Sequence, residues 1–450
     1  MNAHALIDAI RQVDTVARLG TVTRIMPTFI EADGPGVPLG SLCRIRLSAH
    51  GSNAHDDGSP GLLAEVAKVE TGRITLAPYG PVSAAHVGDT VEAVRVGATF
   101  PVGADYLGRI VDPMGTPLDG GAPIGGRLQA WPLAGAQTPA LDRLSPRAPL
   151  ETGLRAIDSL LTLGIGQRAG IFAGSGVGKT TLLADLASHV QADVCVLCLV
   201  GERGREADDF WQHALTEQAR QRSVMVVATS DQPAILRARS VLVALSIAEY
   251  FRAQGKHVLL LLDSITRYAL ALREIGLAAG EPPTIRAYTP SVFAALPKVI
   301  ERCGALRQGG AITALMTVLA ESDDIDDPMT ETLRALLDGH IVLTRTLAEQ
   351  GHYPAIDVPR SISRVFGQVT AKEHRDAAKT AIAQLSLYES SRTLVESGLY
   401  VAGSNPQLDR ALRTRPALIE FLRQDSGHSL AAASAVTRLR DLIASDGAKP

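Results

Sequence analysis

The stretch Ala173-Gly-Ser-Gly-Val-Gly-Lys-Thr180 decides the fold of this chain. It matches the phosphate-binding loop pattern G-x-x-x-x-G-K-[ST] at every defined position except the first, where Ala173 replaces glycine. The apolar run Arg168–Ala173 before the loop predicts a strand, and the amphipathic run 180–190 after it predicts a helix. Strand, glycine-rich loop and helix in this order predict a nucleotide-binding α/β domain.

Each residue type in the loop has a physical role in holding phosphate. Glycines let successive backbone N–H groups turn towards phosphate oxygens, and the N-terminus of the following helix adds free donors and a favourable dipole. The ammonium group of Lys179 would contact the β- and γ-phosphates, and the hydroxyl group of Thr180 would be a ligand of Mg²⁺. The residues predicted to bind the nucleotide are Gly174, Ser175, Gly176, Val177, Gly178, Lys179, Thr180 and Thr181.

Apolar runs alternate with amphipathic runs from about residue 150 to residue 344. This alternation predicts a parallel sheet that is covered by helices on both faces. Ligands of such sheets bind beyond the carboxyl ends of the strands, so charged residues that follow a strand are candidates for the site. The predicted strands are Arg168–Ala173, 194–200, 224–228, 257–262, Ala311–Leu319 and 341–344.

Two carboxylates follow predicted strands. Asp263 ends the run 257–262 in the Walker B arrangement, where it would hold Mg²⁺ through a water; the alternative is a cap of the next helix. Glu202 follows the run 194–200 and would polarise the water that attacks the γ-phosphate; the alternative is a solvated charged loop. The functional interpretations are favoured because a nucleotide in the phosphate-binding loop requires both a metal ligand and a base.

The regions on either side of the nucleotide-binding domain have residue patterns that differ from the strand–helix alternation within it. Short Val-, Thr- and Ile-rich runs in residues 20–95 predict a small β-barrel, with the polar segment 51–60 at a hairpin tip. Residues 1–19 predict a helix that either caps the barrel or docks a partner, and only helical segments follow residue 369. We therefore predict a RecA-like α/β core over residues 96–368, flanked by an N-terminal β-barrel and an α-helical C-terminal domain over residues 369–450.

The composition limits the class of protein. Hydrophobic residues make up 46% and charged residues 20% of the 450 residues, as in globular proteins, and the net charge of −3 disfavours a nucleic-acid binder. Among the four cysteines, Cys195 and Cys198 lie on opposite faces of a predicted strand, which indicates core packing in a reducing compartment. No apolar run reaches the length of about 18 residues that spans a bilayer, so we expect a cytoplasmic protein that reaches membranes only through partners.

Five sequence blocks, in this order and spacing, resemble the ATPase of type III protein export systems. That family is itself similar to the catalytic β subunit of rotary ATP synthases, and the resemblance covers nearly the whole chain. The blocks are Gly174-Ser-Gly-Val-Gly-Lys-Thr180, Gly201-Glu-Arg-Gly-Arg-Glu206, Leu261-Leu-Asp-Ser-Ile-Thr-Arg267, His352-Tyr-Pro-Ala-Ile-Asp357 and Ser361-Ile-Ser-Arg364.

The resemblance implies a homohexameric ring that hydrolyses ATP with Mg²⁺ at each subunit interface and energises protein export. On the residues alone, Arg364 is an ordinary surface charge; the resemblance makes it an arginine finger that reaches into the neighbouring subunit's site. The implied roles are phosphate and Mg²⁺ binding for Lys179 and Thr180, water activation for Glu202, phosphate binding for Arg203, metal support for Asp263 and adenine stacking for Tyr353.

The resemblance also implies partners and a location. Segment 280–288 would face a central pore that holds a coiled-coil stalk protein, and the N-terminal helix would bind a stator-type regulator linked to the export gate. Export substrates and their chaperones are further expected partners, whereas nucleic acid is not. The ring would be cytoplasmic and peripherally associated with the inner membrane through these partners.

The sequence leaves the branch of the family and several rival functions open. Ala228-Thr-Ser-Asp-Gln-Pro-Ala234 and Gly403-Ser-Asn-Pro406 favour flagellar export over the injectisome, although residues 327–330 and 359–361 depart from both patterns. A non-catalytic ring subunit would carry glutamine in place of Glu202. A ring that translocates RNA or DNA would need basic, aromatic surfaces, and only 4% of residues are aromatic. A rotary β subunit would need partner α chains.

Overall fold

A computed structural model describes residues 17–48, 61–319 and 328–445 of the chain. Six antiparallel strands near the N-terminus close into a barrel. The barrel strands are β1 (Leu19–Ile25), β2 (Ile30–Asp33), β3 (Leu42–Arg46), β4 (Leu62–Glu70), β5 (Arg73–Pro78) and β6 (Thr90–Arg95). Their spatial order is β1-β2-β5-β4-β3-β6. Buried and half-buried residues alternate along the first half of β4, which is how a small barrel fills its interior with apolar side chains.

The barrel appears where the sequence predicts it, but the helix predicted for residues 1–19 is wrong at its end. Leu19 begins strand β1 and pairs with Glu92 of β6. The backbone of Gly20 lies so close to Gly34 that an added Cβ would be 2.2 Å from the Gly34 carbonyl carbon, so barrel packing fixes this segment as a strand. Residues 1–16 and segment 51–60 lie outside the described residues, so the N-terminal docking helix and the hairpin tip stay predictions.

The central sheet is built from strands that alternate with helices. Its main path runs β18-β17-β11-β16-β14-β12-β13-β8, and all neighbours on this path are parallel except β17 and β18. These strands are β8 (Arg109–Val111), β11 (Arg168–Ala173), β12 (Val194–Glu202), β13 (Ser223–Thr229), β14 (His257–Asp263), β16 (Ala311–Leu319), β17 (Gly339–Leu343) and β18 (Ile362–Ser363).

Four smaller strands complete the β-structure of the core. They are β7 (Thr99–Val102), β9 (Gln129–Pro132), β10 (Arg143–Leu144) and β15 (Gly304–Leu306). Strands β7 and β9 form a separate ribbon, whereas β15 pairs antiparallel with both β10 and β16 and so extends the central sheet.

Helices cover both faces of the central sheet, as the sequence predicts. Val196 and Cys198 of β12 belong to one apolar cluster, and Leu197 and Leu199 belong to another on the opposite face. The core helices are α1 (Arg155–Leu160), α2 (Lys179–His189), α3 (Gly204–Asp209), α4 (Glu217–Gln221), α5 (Ala234–Ala253), α6 (Ile265–Ala278), α7 (Pro290–Ile300), α8 (Pro328–Leu336), α9 (Arg345–Glu349) and α10 (Phe366–Val369). A single π-helical turn, Phe210–Ala214, follows α3.

The C-terminal part of the chain is helical, as predicted, and no strand follows Ser363 in the described residues. Its helices are α11 (Lys372–Glu396), α12 (Pro406–Leu422) and α13 (Ala432–Ser445). Helix α12 begins where the Asn405 side chain accepts hydrogen bonds from the backbone N–H groups of Gln407 and Leu408, at 3.0 and 3.2 Å. Leu418 of α12 shares an apolar cluster with Leu186 of α2, so this part of the chain packs beside the nucleotide-binding helix.

The fold class is therefore confirmed: an α/β core lies between a β-barrel and a helical C-terminal region. The domain boundaries at residues 95/96 and 368/369 stay predictions. Of the helices that the structure describes, none is both long enough and apolar enough to cross a membrane.

Candidate functional site

The glycine-rich loop has the conformation that a phosphate-binding loop needs. Strand β11 ends at Ala173 and helix α2 begins at Lys179. Gly176 and Gly178 have φ angles of +77° and +85°, which only glycine adopts at low cost. Ala173 is still within the strand and is 1% exposed, so glycine is not required at this first position of the pattern.

Three charged side chains converge at the start of helix α2. The Nζ atom of Lys179 lies 2.5 and 2.6 Å from the carboxylate oxygens of Asp263 and 3.5 Å from Oε1 of Glu202. Both acids end neighbouring parallel strands, β14 and β12, so the sheet topology brings them together. The Thr317 hydroxyl donates to Oδ1 of Asp263 at 2.6 Å and fixes the orientation of that carboxylate.

Glu202 is a partly desolvated carboxylate next to two cations. Its side chain is largely buried, and Oε2 lies 3.3 Å from Nη1 of Arg267, which also donates a hydrogen bond to the carbonyl oxygen of Gly201. Burial raises the pKa of Glu202 above its ordinary value; the Asp263 charge adds to the rise, while Lys179 and Arg267 oppose it. A carboxylate in this setting can accept a proton from a positioned water.

The sequence patterns do not assign roles to Arg267 or Thr317. Arg267 lies in the first turn of α6, whose N-cap is Ser264, and its side chain reaches Gly201 and Glu202 at the end of β12. Because Arg267 follows Asp263 by one helical turn, its position in the sequence indicates that it lies near the site. Thr317 is one of two polar residues in the apolar strand β16 and is fully buried, so its need for a hydrogen-bond partner was a weaker signal.

A cavity of about 810 Å³, which is in the usual size range of ligand sites, is bordered by Lys179, Glu202, Asp263 and Arg267. Residues 174–180 of the loop border it, together with Glu202 and Asp263. Arg203 also borders it; its side chain is 68% exposed, and its Nε atom lies 3.8 Å from Glu206. Further cations on the cavity wall, which suit a polyphosphate, are Arg267, Arg334, Arg345 and Arg360.

Three other predicted site residues lie around or outside this cavity. Tyr353 is 46% exposed, and its ring carbons would be 3.3 and 3.4 Å from a Cβ added to Gly178, so the ring lies against the loop. Arg364 is exposed and donates to the carbonyl oxygen of Arg334 at 3.0 Å, without bordering the cavity. Thr181 is exposed on α2 and is likewise not part of the cavity wall. Its role and that of Arg364 stay predictions.

The donors at the site fit magnesium better than a metal held entirely by protein. Thr180 and Asp263 offer a hydroxyl and a carboxylate oxygen to the same cavity. Nowhere in the described ranges do three or more His, Cys, Asp or Glu side chains cluster as a set of metal ligands. Mg²⁺ commonly binds through one or two protein oxygens, with phosphates and waters as its other ligands.

Two family models match the chain in succession. The ATP synthase alpha/beta family, nucleotide-binding domain, matches residues 153–363, and the T3SS EscN ATPase C-terminal domain matches residues 370–441. The flagellum-specific ATP synthase of Bacillus subtilis is 42% identical, over 99% of this chain and 100% of its own length. The SPI-2 type 3 secretion system ATPase of Salmonella typhimurium is 45% identical, over 91% of this chain and 92% of its own length.

The fold is also similar to solved structures. The assembled ATPase EscN from the type III secretion system of enteropathogenic E. coli superposes with a TM-score of 0.87, at 39% identity, and covers 94% of this chain and 100% of that chain. EscN in complex with its central stalk EscO superposes with a TM-score of 0.85, at 38% identity, with the same coverage.

Proposed function

The chain belongs to the ATP synthase alpha/beta family, in the group of flagellum-specific ATP synthases and type 3 secretion system ATPases, and we propose that its ATPase activity energises flagellar protein export. The observation that carries the proposal is the convergence of Lys179, Glu202 and Asp263 at one end of a nucleotide-sized cavity. A cation for the phosphates, a carboxylate for the attacking water and a carboxylate for a metal are the three groups that hydrolysis requires.

The charges suggest how the site responds to ATP. In the structure, the ammonium group of Lys179 lies between two carboxylates and compensates both. When ATP enters, its terminal phosphates offer Lys179 competing anionic partners within reach of the loop. Thr180 and Asp263 would hold the Mg²⁺ that is bound with ATP. This ion would neutralise part of the charge on the phosphate oxygens.

Glu202 would then act as the general base. Its burial raises its pKa, which brings the carboxylate closer to the pH at which a base is most effective. The backbone N–H groups at the start of α2 and Lys179 would stabilise the charge that develops on the transferring phosphoryl group. Arg203, which borders the cavity and is exposed, would contact the same phosphate.

The position of Arg364 supports a site shared between subunits. Its side chain is exposed and does not border the cavity of its own chain, as expected for a group that completes a neighbour's site. We propose a homohexamer in which Arg364 is an arginine finger, a class of residue worth about 10³–10⁵-fold in rate. The solved structures described as an assembled ATPase, with and without a central stalk, support a ring and a stalk partner.

The proposed role in protein export also includes further partners and a cellular location for the ring. Segment 280–288 would contact the stalk, and Ile285 within it is 63% exposed. A stator-type regulator, the export gate, export substrates and their chaperones complete the expected set. The ring would be cytoplasmic and would associate with the inner membrane through these partners. Injectisome secretion is the second candidate, because relatives from both branches match the chain at similar identity.

The test of the shared site is phosphate release from ATP as a function of protein concentration. Specific activity should rise as rings form. Chains with Glu202→Gln and chains with Arg364→Ala should each be inactive, but mixing them should partly restore activity, because some interfaces pair an intact base with an intact finger. Glu217→Gln, on an exposed helix outside the cavity, is the matched control. Absence of rescue at every mixing ratio would contradict the shared site.

Two further measurements separate the rival functions. A ring that translocates nucleic acid would show hydrolysis stimulated by RNA or DNA, whereas we expect no stimulation. A non-catalytic subunit would bind ATP without phosphate release at any concentration.

The branch of the family is tested by complementation. Expression of this chain in a Bacillus subtilis strain that lacks its flagellum-specific ATP synthase should restore swimming. Restored effector secretion in a strain lacking the SPI-2 ATPase, without restored swimming, would favour the injectisome.

A further inference from the structure

A second cavity, of about 330 Å³, lies between segment 344–360 and helices α11 and α12. Leu385, Ile419 and Leu422 form an apolar wall, and they belong to the two helices. Its size falls at the lower end of the range for small-molecule sites and is too small for a folded peptide element. The first cavity also touches this segment, at Arg345 and Arg360, and Arg360 borders both cavities.

His352 borders this cavity and carries a buried ring nitrogen without a hydrogen-bond partner. Its side chain is 3% exposed, and no group in the described part of the chain hydrogen-bonds to its Nδ1 atom. Leaving a buried polar atom without a partner is destabilising, so a ligand that supplies a hydrogen-bond partner is favoured. Burial, with the charges of Arg423 and Arg415, lowers the pKa of His352 to about 4. The ring is therefore neutral at pH 7 and carries one N–H donor and one acceptor.

Among the charged groups around the cavity, Arg415 and Arg360 have no carboxylate partner in the described residues; Arg360 is exposed on the segment that borders both cavities, whereas Arg415 lies on α12. Arg392 is paired with Glu396 at 2.8 Å and lies 4.0 Å from Glu389. Arg415, in contrast, lies over the Tyr388 ring at 4.0 Å and has no carboxylate within ion-pair distance among the residues that the structure describes.

One further acid on the wall does not compete for Arg415. Asp357 borders the cavity, but its Oδ1 atom accepts a hydrogen bond from the backbone N–H of Arg360 at 3.2 Å. The cavity therefore combines an apolar wall, a cation without a carboxylate partner and a buried imidazole that lacks a hydrogen-bond partner.

We infer that the second cavity binds a small organic anion. Its acidic group would contact the Arg415 guanidinium and the Nδ1 atom of His352, and its apolar body would lie against Ile419 and Leu422. An inorganic anion would leave the apolar wall uncovered, and a neutral apolar molecule would leave Arg415 and His352 without partners.

The occupant would act on the nucleotide site through the segment that borders both cavities. His352 borders the second cavity, and the next residue, Tyr353, lies against Gly178 of the phosphate-binding loop. An anion that holds His352 would fix the backbone that carries Tyr353 and would change nucleotide affinity. By linkage, nucleotide would change the affinity for the anion by the same factor. This coupling rests on the nucleotide binding proposed above; the binding of the anion does not.

The test is a fluorescence titration of the full chain with the aromatic sulfonate 1-anilinonaphthalene-8-sulfonate, in saturating ADP so that the first cavity is filled. We expect one saturable site per chain. Arg415→Gln should weaken it at least 10-fold, and Arg415→Lys should weaken it less because the charge remains. Arg413→Gln removes the same charge from an exposed position on the same helix, outside the cavity, and should change nothing. Equal binding by wild type and Arg415→Gln, or no saturable binding, would overturn the inference.

The coupling is measured separately, as the ADP dissociation constant with and without the sulfonate. We expect a change of about 5-fold or more, which Arg415→Gln should abolish. An unchanged ADP affinity, with Arg415-dependent sulfonate binding intact, would overturn the coupling alone. Lys179→Ala separates the two proposals: it should abolish ADP binding and leave sulfonate binding in the second cavity.

Discussion

At the scale of single residues, the reactivity of Glu202 depends on the balance between burial and its charged neighbours. Burial and the nearby Asp263 raise its pKa, and the cations of Lys179 and Arg267 lower it. Lys179 would be engaged by phosphate when nucleotide is bound. Arg267 is held by its hydrogen bond to the carbonyl oxygen of Gly201, so it stays beside Glu202 and sets the basicity of that carboxylate.

Replacing Arg267 should therefore change the pH dependence of hydrolysis. In Arg267→Gln, the pKa of Glu202 should rise further because a cation 3.3 Å from its Oε2 atom is lost. A general base must be ionised to accept a proton, so with Glu202 in its proposed role activity should fall off at a higher pH on the acid side than in wild type. The measurement is kcat/KM from pH 5 to pH 9. Arg267→Lys should retain more of the wild-type profile. A lower kcat/KM with an unshifted acid limb would show that Arg267 does not act through Glu202.

The residues of this site differ in how far sequence alone could predict them. Lys179 and Asp263 follow from the loop and from the rule that parallel strands end at one edge of the sheet. The roles of Thr317 and Arg267 are harder to predict from sequence, because their contacts depend on how neighbouring elements are aligned with one another. Thr317 reaches Asp263 only because β14 and β16 pair with Leu262 opposite Met316.

At the scale of elements, the phosphate-binding loop and the segment that carries Tyr353 are in contact. Gly178 is at the N-cap of α2 in a left-handed conformation, and the Tyr353 ring lies where a side chain at this position would extend. Gly176 has a similar φ angle but has nothing within 4 Å of an added Cβ. A comparison of substitutions at the two glycines therefore distinguishes the effect of backbone strain from the effect of contact with the Tyr353 ring.

Alanine at these two positions should have different consequences. Both substitutions place an L-residue in the left-handed region, at a cost of roughly 1–2 kcal/mol, and should lower the melting temperature by similar amounts. Gly178→Ala should in addition displace Tyr353 and weaken ADP binding more than Gly176→Ala. Thermal melts and ADP titrations check both effects. Equal losses of ADP affinity in the two variants would contradict a role for the tyrosine contact.

The element boundaries show what local sequence can and cannot predict. Strand β11 is found at its predicted bounds, because an apolar run ends at a glycine-rich loop. Strand β12 continues beyond the predicted residue 200 to Glu202, because Glu202 pairs with Thr229 of β13. Strands β8 and β18 have three and two residues. Such short runs carry no periodicity, and they are strands only because tertiary pairing places them at the sheet edges.

At the scale of the whole molecule, a buried ion pair joins the barrel to the α/β core. Arg239 of α5 is 5% exposed, and its Nη1 atom donates to Glu65 of β4 at 2.9 Å. The Tyr79 hydroxyl group donates to the same carboxylate at 2.5 Å, and Arg239 also donates to the carbonyl oxygen of Pro113. The barrel was predictable from its strands, but this junction was not, because its partners are 174 residues apart in sequence.

Removing Arg239 should destabilise the molecule because it leaves the Glu65 charge without its cation. We expect Arg239→Met to lower the free energy of unfolding by at most about 3–5 kcal/mol, the cost of breaking a fully buried pair, because the Glu65 side chain is 20% exposed. The exposed pair Arg46–Glu92 lies within the barrel at the same distance of 2.9 Å, so Arg46→Met is the matched control. It should cost about 0–1 kcal/mol. Urea unfolding followed by circular dichroism measures both, and equal losses would contradict a stabilising role for the junction.

The function proposed for the whole molecule rests on one proposed chemical event, the activation of water by Glu202 beside Lys179 and Asp263. Its most direct test is a single-turnover measurement of ATP cleavage with assembled wild type and with Glu202→Gln, together with ATP affinity. The variant should bind ATP within about 3-fold of wild type, since glutamine preserves the shape of the side chain, and cleavage should slow by about 10²–10⁴-fold. Cleavage by Glu202→Gln at the wild-type rate would contradict the account.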